Sequence, residues 1–439
     1  MLVRLFGRNF RSFKTPFELS MVAADLRRKE DRNRGVVEVP IAGANEPLRL
    51  LRTVAIYGAN ASGKSSVISA AGALNWLVNE SSARSKPGEN IPLYDPFLLD
   101  DATRVAPVEL GCDVVYEESL LRYEIKYGEK AVLQETLTVY DENGESKLID
   151  RQPSGEVRGD LILRSDANRL YVKEMQPNVA VLSKLAQHGP QQGPESVRPY
   201  FTVVRDATCR RNYSDAALRD SLNTEFENAE RFAADAQYRE WIMRHLIRPA
   251  DVGIRDAQTR REPLRHPDLS SSKWVRAYVG AGDAPPDAVM VSFVHEGMSS
   301  QPIDLPKESS GTIKLFGLAP DWWALAERPV TIFADEVSAS LHPRLLDSLI
   351  RAVNDNPNDR VRSQLIFATH DTALLESRDG LPPALRRDQV YFTKKDPQGV
   401  SELYSLTEFK DDARTVHNIR KRYLSGLYGA IPSAEKVSL

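Results

Sequence analysis

Five side chains of this sequence have the types and the order that polyphosphate chemistry needs: Lys64, Ser65, Asp335, Glu336 and His370. The first two close Gly58-Ala59-Asn60-Ala61-Ser62-Gly63-Lys64-Ser65, which fits the pattern G-x-x-x-x-G-K-[ST]. The apolar run Val54-Ala55-Ile56-Tyr57 before it reads as a buried strand. After it, Val67, Ile68, Ala71, Leu74 and Val78 share one face of a helix. A loop between two such elements turns successive backbone N–H groups inward, and the helix N-terminus adds partial positive charge. Gly58, Asn60, Gly63 and Ser66 are the expected cradle residues of a nucleotide site. Lys64 would reach the β- and γ-phosphates of ATP, and Ser65 would hold Mg²⁺.

The second half supplies what such a loop lacks. Pro329-Val330-Thr331-Ile332-Phe333-Ala334-Asp335-Glu336 is an apolar strand that ends in two acids. Placed beside the strand of the loop, it would let Asp335 hold Mg²⁺ through water and put Glu336 where an attacking water lies. Gln364 to Ala368 reads as another buried strand, ending in Thr369-His370-Asp371. Before the acidic strand lies Glu308-Ser309-Ser310-Gly311-Thr312, ahead of an amphipathic segment; taken alone, a Ser-Ser-Gly turn reads as a helix cap.

The elements that must position these residues are legible in outline. Leu2 to Phe13, Phe17 to Val22 and Val36 to Ile41 read as strands, and the charged stretch Asp25 to Arg34 reads as a solvated turn. From Val108 to Ile149 the pattern has period two, with Val108, Leu110, Cys112 and Val114 on one face, then Leu121, Tyr123, Ile125 and Tyr127. Asp141-Glu142-Asn143-Gly144 is a hairpin signal, so this region is an antiparallel meander. Asp215 to Ile247 reads as one long helix or two short ones, capped by Ser214, with Phe226, Ala229, Ala233, Ala236 and Trp241 as the buried stripe.

Composition narrows the class. The 439 residues carry 58 basic and 61 acidic side chains, a net charge of −3, which is no overall electrostatic footprint for nucleic acid. Cys112 and Cys209 offer neither metal-ligand spacing nor a disulfide framework, which suits a reducing cytoplasm. Arg4, Arg8, Arg11 and Lys14 exclude an apolar signal core at the N-terminus, and no run approaches a membrane span.

The wide split between the phosphate loop and an Asp-Glu pair resembles the ABC-type ATPases, including the SMC, RecF and OLD groups. That resemblance implies an α/β, two-lobed ABC-type P-loop ATPase head with an antiparallel β meander and a short helical insert. The expected division is 1–205 for lobe I, with the loop and meander, 206–250 for the helical insert, and 251–439 for lobe II. The resemblance makes Ser309 and Gly311 signature residues that bind the γ-phosphate held by an opposite subunit. It makes Ser338-Ala339-Ser340-Leu341-His342-Pro343 a loop across the dimer interface, with His342 in place of the usual Asp, and His370 a switch histidine. Catalysis would fall to Lys64, Glu336 and His370, with Gln134 a candidate for the glutamine loop.

More closely, Ile56 to Ser65, Glu308 to Thr312, Ser340 to Pro343, Arg387-Asp388-Gln389-Val390-Tyr391-Phe392 and the tail Arg422 to Pro432 resemble one bacterial group. These are compact AAA-type ATPases of the AbiL abortive-infection kind, associated with RloB-like Toprim proteins. The resemblance implies anti-phage defence by a homodimer or higher homo-oligomer that gates a separate Toprim-type nuclease, because too few residues follow His370 for a fused one. The other reading is an ABC-type ATPase of DNA repair or genome maintenance that binds DNA directly. The tail carries no chemical role in either reading.

Overall fold

The computed structural model describes residues 1–26, 33–212, 222–250, 253–263, 287–297, 301–338, 341–356, 358, 361–378, 380–409 and 419–431. Its strands in chain order are β1 (Leu2–Arg8), β2 (Phe17–Ser20), β3 (Val36–Val39), β4 (Leu48–Leu51), β5 (Thr53–Gly58) and β6 (Val108–Tyr116). They continue with β7 (Ser119–Tyr127), β8 (Val132–Asp141), β9 (Gly144–Arg151), β10 (Val157–Arg158), β11 (Cys209–Asn212) and β12 (Ile254–Pro263). The last are β13 (Asp287–His295), β14 (Pro302–Asp304), β15 (Thr331–Asp335), β16 (Gln364–Ala368), β17 (Val390–Lys395) and β18 (Ser401–Ser405).

The strands divide by sequence pattern, as the physics of half-buried and fully buried sheets requires. The alternating segments form an antiparallel sheet in the order β10-β9-β8-β7-β6-β1-β2, with the hairpin at Asp141–Gly144 where the turn residues place it. The continuous apolar runs form a second sheet, β11-β15-β16-β5-β17-β18, in which β15, β16, β5 and β17 are parallel. All residues of β5, β15 and β16 are buried, as parallel strands covered on both faces must be. Helix α1 (Lys64–Asn79) starts at Gly63 and buries Val67, Ile68, Ala71, Leu74 and Val78, the stripe read from the sequence.

The chain forms two compact units, and their boundaries differ from the expected division into 1–205, 206–250 and 251–439. One unit comprises Met1–Arg211, Arg328–Asp335 and Ile350–Leu439; the other comprises Asn212–Glu327 and Glu336–Leu349. The strands ending at Asp335 and Ala368 therefore join the sheet of the phosphate loop instead of a separate lobe. The expectation that β15 lies directly beside β5 is also corrected: β16 lies between them. Nothing in the apolar character of three similar strands encodes their lateral order, which is set by how their helices and connections pack.

The second unit is built on the three-stranded sheet β12-β13-β14 and on helices. Its helical region is two pieces, Leu222–Ala234 and Ala236–Ile242, continued by a π-turn at Met243–Ile247. The break falls at Asp235, whose carboxylate caps the second piece by accepting from Tyr238 N. Ser214, the expected cap, lies outside the described residues, as does the side chain of Phe226. Ala229 is buried as expected, Ala236 is exposed, and the buried stripe runs through Phe232, Tyr238 and Ile242. Phe232 and Phe293 pack edge-on against Phe316 of the helix Ser310–Glu327, and Trp241 packs against Trp323. Among the described residues no helix is long and apolar enough to cross a membrane.

Candidate functional site

Two residues from β17 and β18 clamp the phosphate loop. The hydroxyls of Ser62 and Thr393 lie 2.6 Å apart, and Ser401 Oγ donates to Ser62 O at 2.7 Å. A Cβ on Gly58 would fall 2.4 Å from Thr393 Oγ1, and one on Gly63, at φ 116°, would fall 2.7 Å from Ser401 Oγ. Only glycine fits both places, so these two glycines let the loop backbone seat against its supporting strands. The N-terminal turn joins from the other side: Ser401 N donates to Ser12 O at 2.7 Å, and Ser12 Oγ lies 3.1 Å from Ser66 Oγ.

Lys64 is 7% exposed, and its Nζ donates to Gly58 O and Ala59 O, each at 2.9 Å. Burial lowers its pKa to about 8, against the opposing pull of Asp335. His370 is also held below its ordinary value, first by burial and then by the charge of Lys64, with Asp335 acting the other way. These couplings follow from the topology. Ala334 is level with Phe367, and Ala368 is level with Ile56, so parallel strands deliver Asp335, His370 and the phosphate loop to the same carboxyl ends of the strands. Asn60 and Ser65 are exposed there.

Beside the loop is a cavity of about 460 Å³ lined by Arg11, Ser12, Gly63, Lys64, Ser65, Ser66 and Lys395, by Asp95, which pairs with Arg11, and by Pro96, Phe97, Leu98 and Leu99 on its apolar side. A cationic floor beside an apolar wall suits a phosphate chain attached to a base. The residues fit a polyphosphate by a second criterion as well: among the described residues the buried Lys64 ammonium donates to two carbonyls alone, and a polyanion would satisfy its charge.

The remaining candidates belong to the second unit. Glu336 follows Asp335 with φ 56°, its side chain exposed and its carbonyl accepting from the buried Lys314 Nζ at 2.9 Å. Ser309 caps the helix Ser310–Glu327: its Oγ accepts from Thr312 N at 3.2 Å and lies 2.9 Å from Thr312 Oγ1. Ser309 remains exposed and Gly311 partly so. Before them, Glu308 bonds His295 Nε2 at 2.7 Å. His342 Nδ1 accepts from Arg344 N at the start of the helix Pro343–Asn354, a capping position. Ala339 and Ser340 lie outside the described residues.

With this geometry in place, residues 54–376 match a family described as "AAA domain, putative AbiEii toxin, Type IV TA system". The chain belongs to that family. The matched span runs from β5 past His370 and so includes Lys64, Ser65, Asp335 and Glu336. Among curated proteins none matches. Solved structures similar to the chain include the SMC head domain from Thermotoga maritima, at 13% identity and TM-score 0.37, covering 92% of this chain and 98% of that one. Another is the Smc head bound to the C-terminal winged-helix domain of ScpA, at 12% identity and TM-score 0.37, covering 92% and 97%. A third is an Smc head with an extended coiled coil, bound to the C-terminal domain of ScpA derived from Pyrococcus furiosus, at 12% and 0.38, covering 93% and 97%. Similarity at this level carries no functional conclusion.

One expectation for this AAA domain is corrected. Gln134 sits on β8 opposite Lys126 and lines a different cavity, on the antiparallel sheet with Arg4, Glu109 and Asp150, not the cavity at the phosphate loop. Its strand belongs to the meander, in a different sheet from the strand of the loop. Several residues at the loop had no sequence signal. Arg11 Nη1 donates to Ser69 Oγ of α1 at 2.7 Å, with its Nε on Asp95 at 2.8 Å. The stem of Arg210 crosses α1 at Gly72, where a Cβ would fall 2.4 Å from Arg210 Cδ; burial and then the charge of Arg11 hold its pKa below the ordinary value, with Asp335 acting the other way. Lone arginines outside a motif give a reader of the sequence nothing to align; only folding brings them to one stripe of α1.

Proposed function

We propose that this chain binds and hydrolyses ATP, and that its nucleotide state gates a separate effector in anti-phage, abortive-infection-like defence. The observation that supports the reading best is the parallel register that brings Asp335, His370 and the loop of Lys64 to the same carboxyl ends of their strands, beside the cavity that Lys64 lines. Lys64 neutralises the β- and γ-phosphates, and His370 holds the γ-phosphate. Ser65 and Asp335 hold Mg²⁺, which when bound supplies further positive charge to the phosphate oxygens. Glu336 orients the attacking water and takes its proton. Ser309, exposed, and Gly311, partly exposed, at the start of their helix complete the site of a second copy, so that ATP holds a head-to-tail homodimer together. The defence role is supported by the family's description as a toxin of a Type IV TA system, and a separate Toprim-type nuclease is the partner proposed.

The test pairs turnover with assembly. Glu336→Gln keeps ATP affinity, loses phosphate release by about 100-fold or more, and accumulates a larger species on size exclusion with ATP. A variant that turns over normally, or an ATP-bound form no larger than the apo chain, rejects this reading. In cells, the wild-type chain with its neighbouring genes lowers phage plating, and Lys64→Ala abolishes the protection.

A further inference from the structure

The tail motif around Tyr423, to which no chemistry attaches from its sequence, lies against two elements of the nucleotide site at once. Tyr423 is buried in the helix Ile419–Leu424, its hydroxyl against the backbone of Gly58, where the phosphate loop begins. Its ring packs edge-on against Tyr57 at 5.7 Å and stacks on Phe392 of β17 at 5.5 Å. Tyr428 stacks on the same Phe392 at 5.2 Å, and its carbonyl accepts from Tyr404 OH, so the segment is anchored at both ends. One turn before Tyr423, Arg420 Nε donates to Thr372 Oγ1 at 3.1 Å, and its Nη1 pairs with Glu376. Thr372–Leu375 is the short 3₁₀ turn that follows His370, capped by Asp371. Tyr57 OH donates to Asp371 O at 3.0 Å, tying the same turn back to the strand of the loop.

We propose that the segment from Ile419 to Tyr428 is a positioning strap for the nucleotide site, in which Tyr423 seats the phosphate loop and Arg420 holds the turn that carries His370. Two residues one helical turn apart thus set the spacing between the group that holds the phosphates and the group that touches the terminal one. A displacement near 1 Å at either group is enough to slow chemistry severely without abolishing binding. The strap rests on the ATPase reading above and adds to it two residues that touch neither nucleotide nor metal.

The exposure of the Arg420–Glu376 pair, 42% and 46%, makes the test clean, because such pairs contribute little to stability. In the full chain, Arg420→Ala and Glu376→Ala each lower kcat about tenfold. Binding of a fluorescent ATP analogue stays within about twofold, and the melting temperature is unchanged. The exchanged pair, Arg420→Glu with Glu376→Arg, recovers most of the lost turnover. Tyr423→Phe keeps the ring packing and raises KM more than it lowers kcat. Arg420→Ala with wild-type kcat and KM overturns the strap. So does a loss of turnover that tracks a lower melting temperature in every variant, with no recovery in the exchanged pair. A wild-type chain that neither binds nor hydrolyses ATP overturns the nucleotide reading and the strap together, which separates the two failures.

Discussion

Glu135 in the antiparallel sheet and Lys64 at the start of α1, beyond the carboxyl end of β5, are both buried ionisable groups, and they are buried in opposite ways. Glu135 is fully enclosed and accepts from Val181 N at 2.6 Å, Leu182 N at 2.9 Å and Tyr123 OH at 3.1 Å. It serves as a distant cap for the helix Val181–His188, whose own cap residue, Ala180, has no side chain to offer. Burial still raises its pKa, but each donor around it is spent on it. Among the described residues Lys64 Nζ donates to two carbonyls alone, and a cavity lies in front of it. A saturated buried charge holds a fold together; a buried charge beside an open cavity is kept for a ligand.

The largest effect that would sharpen this contrast is Lys64→Ala, which costs nucleotide affinity by about 100-fold or more. Titration calorimetry reads it, and the urea midpoint moves little. Glu135→Ala inverts the pattern. It leaves two N–H groups and a phenol without their acceptor, and lowers unfolding free energy by about 3 kcal/mol. ATP affinity measured below the transition stays at the wild-type value. If Glu135→Ala instead weakened ATP binding without loss of stability, the division between the two groups would break.

The third effect is in pH. Lys64 of the free protein loses its proton near pH 8, and a bound triphosphate favours the charged form. ATP affinity therefore declines as pH rises above about 8, and binding at pH 9 takes up close to one proton per site. Calorimetry in two buffers of different ionisation enthalpy measures this uptake, and Lys64→Arg removes it. For folding, the sign is the reverse of a stabilising ion pair. The unfolded chain holds the proton up to 10.5, so the stability contribution of this lysine rises with pH between about 8 and 10.5. The smallest effect belongs to the half-exposed pair Lys126–Glu109 on the meander: Lys126→Ala changes stability by about 0.5 kcal/mol or less.

Much of the site was readable because its residues are local. Gly58 to Ser65 are consecutive residues of one loop, so their spacing along the chain is their spacing in space. The meander was readable for a similar reason, since alternation and the Asp141–Gly144 turn are short-range signals. What failed was lateral order and long-range company. Gln134 was a candidate by type alone, and its strand faces another cavity. The compact units are not divided at residue 250, because β15 and β16 return to the sheet of β5 from far along the chain.

By itself, then, the order of residues determined the phosphate loop, the burial of its flanking strand and helix, and the chemical identity of Asp335, Glu336 and His370. The tertiary structure alone decided that β16 separates β5 from β15, that Arg11 and Arg210 meet α1 at Ser69 and Gly72, and that Arg420 and Tyr423 reach both arms of the site. The physical reason is the range of the interactions. Hydrogen bonds along a loop and apolar periodicity act between near neighbours, whereas the side-by-side order of strands is settled only when the whole core packs at once.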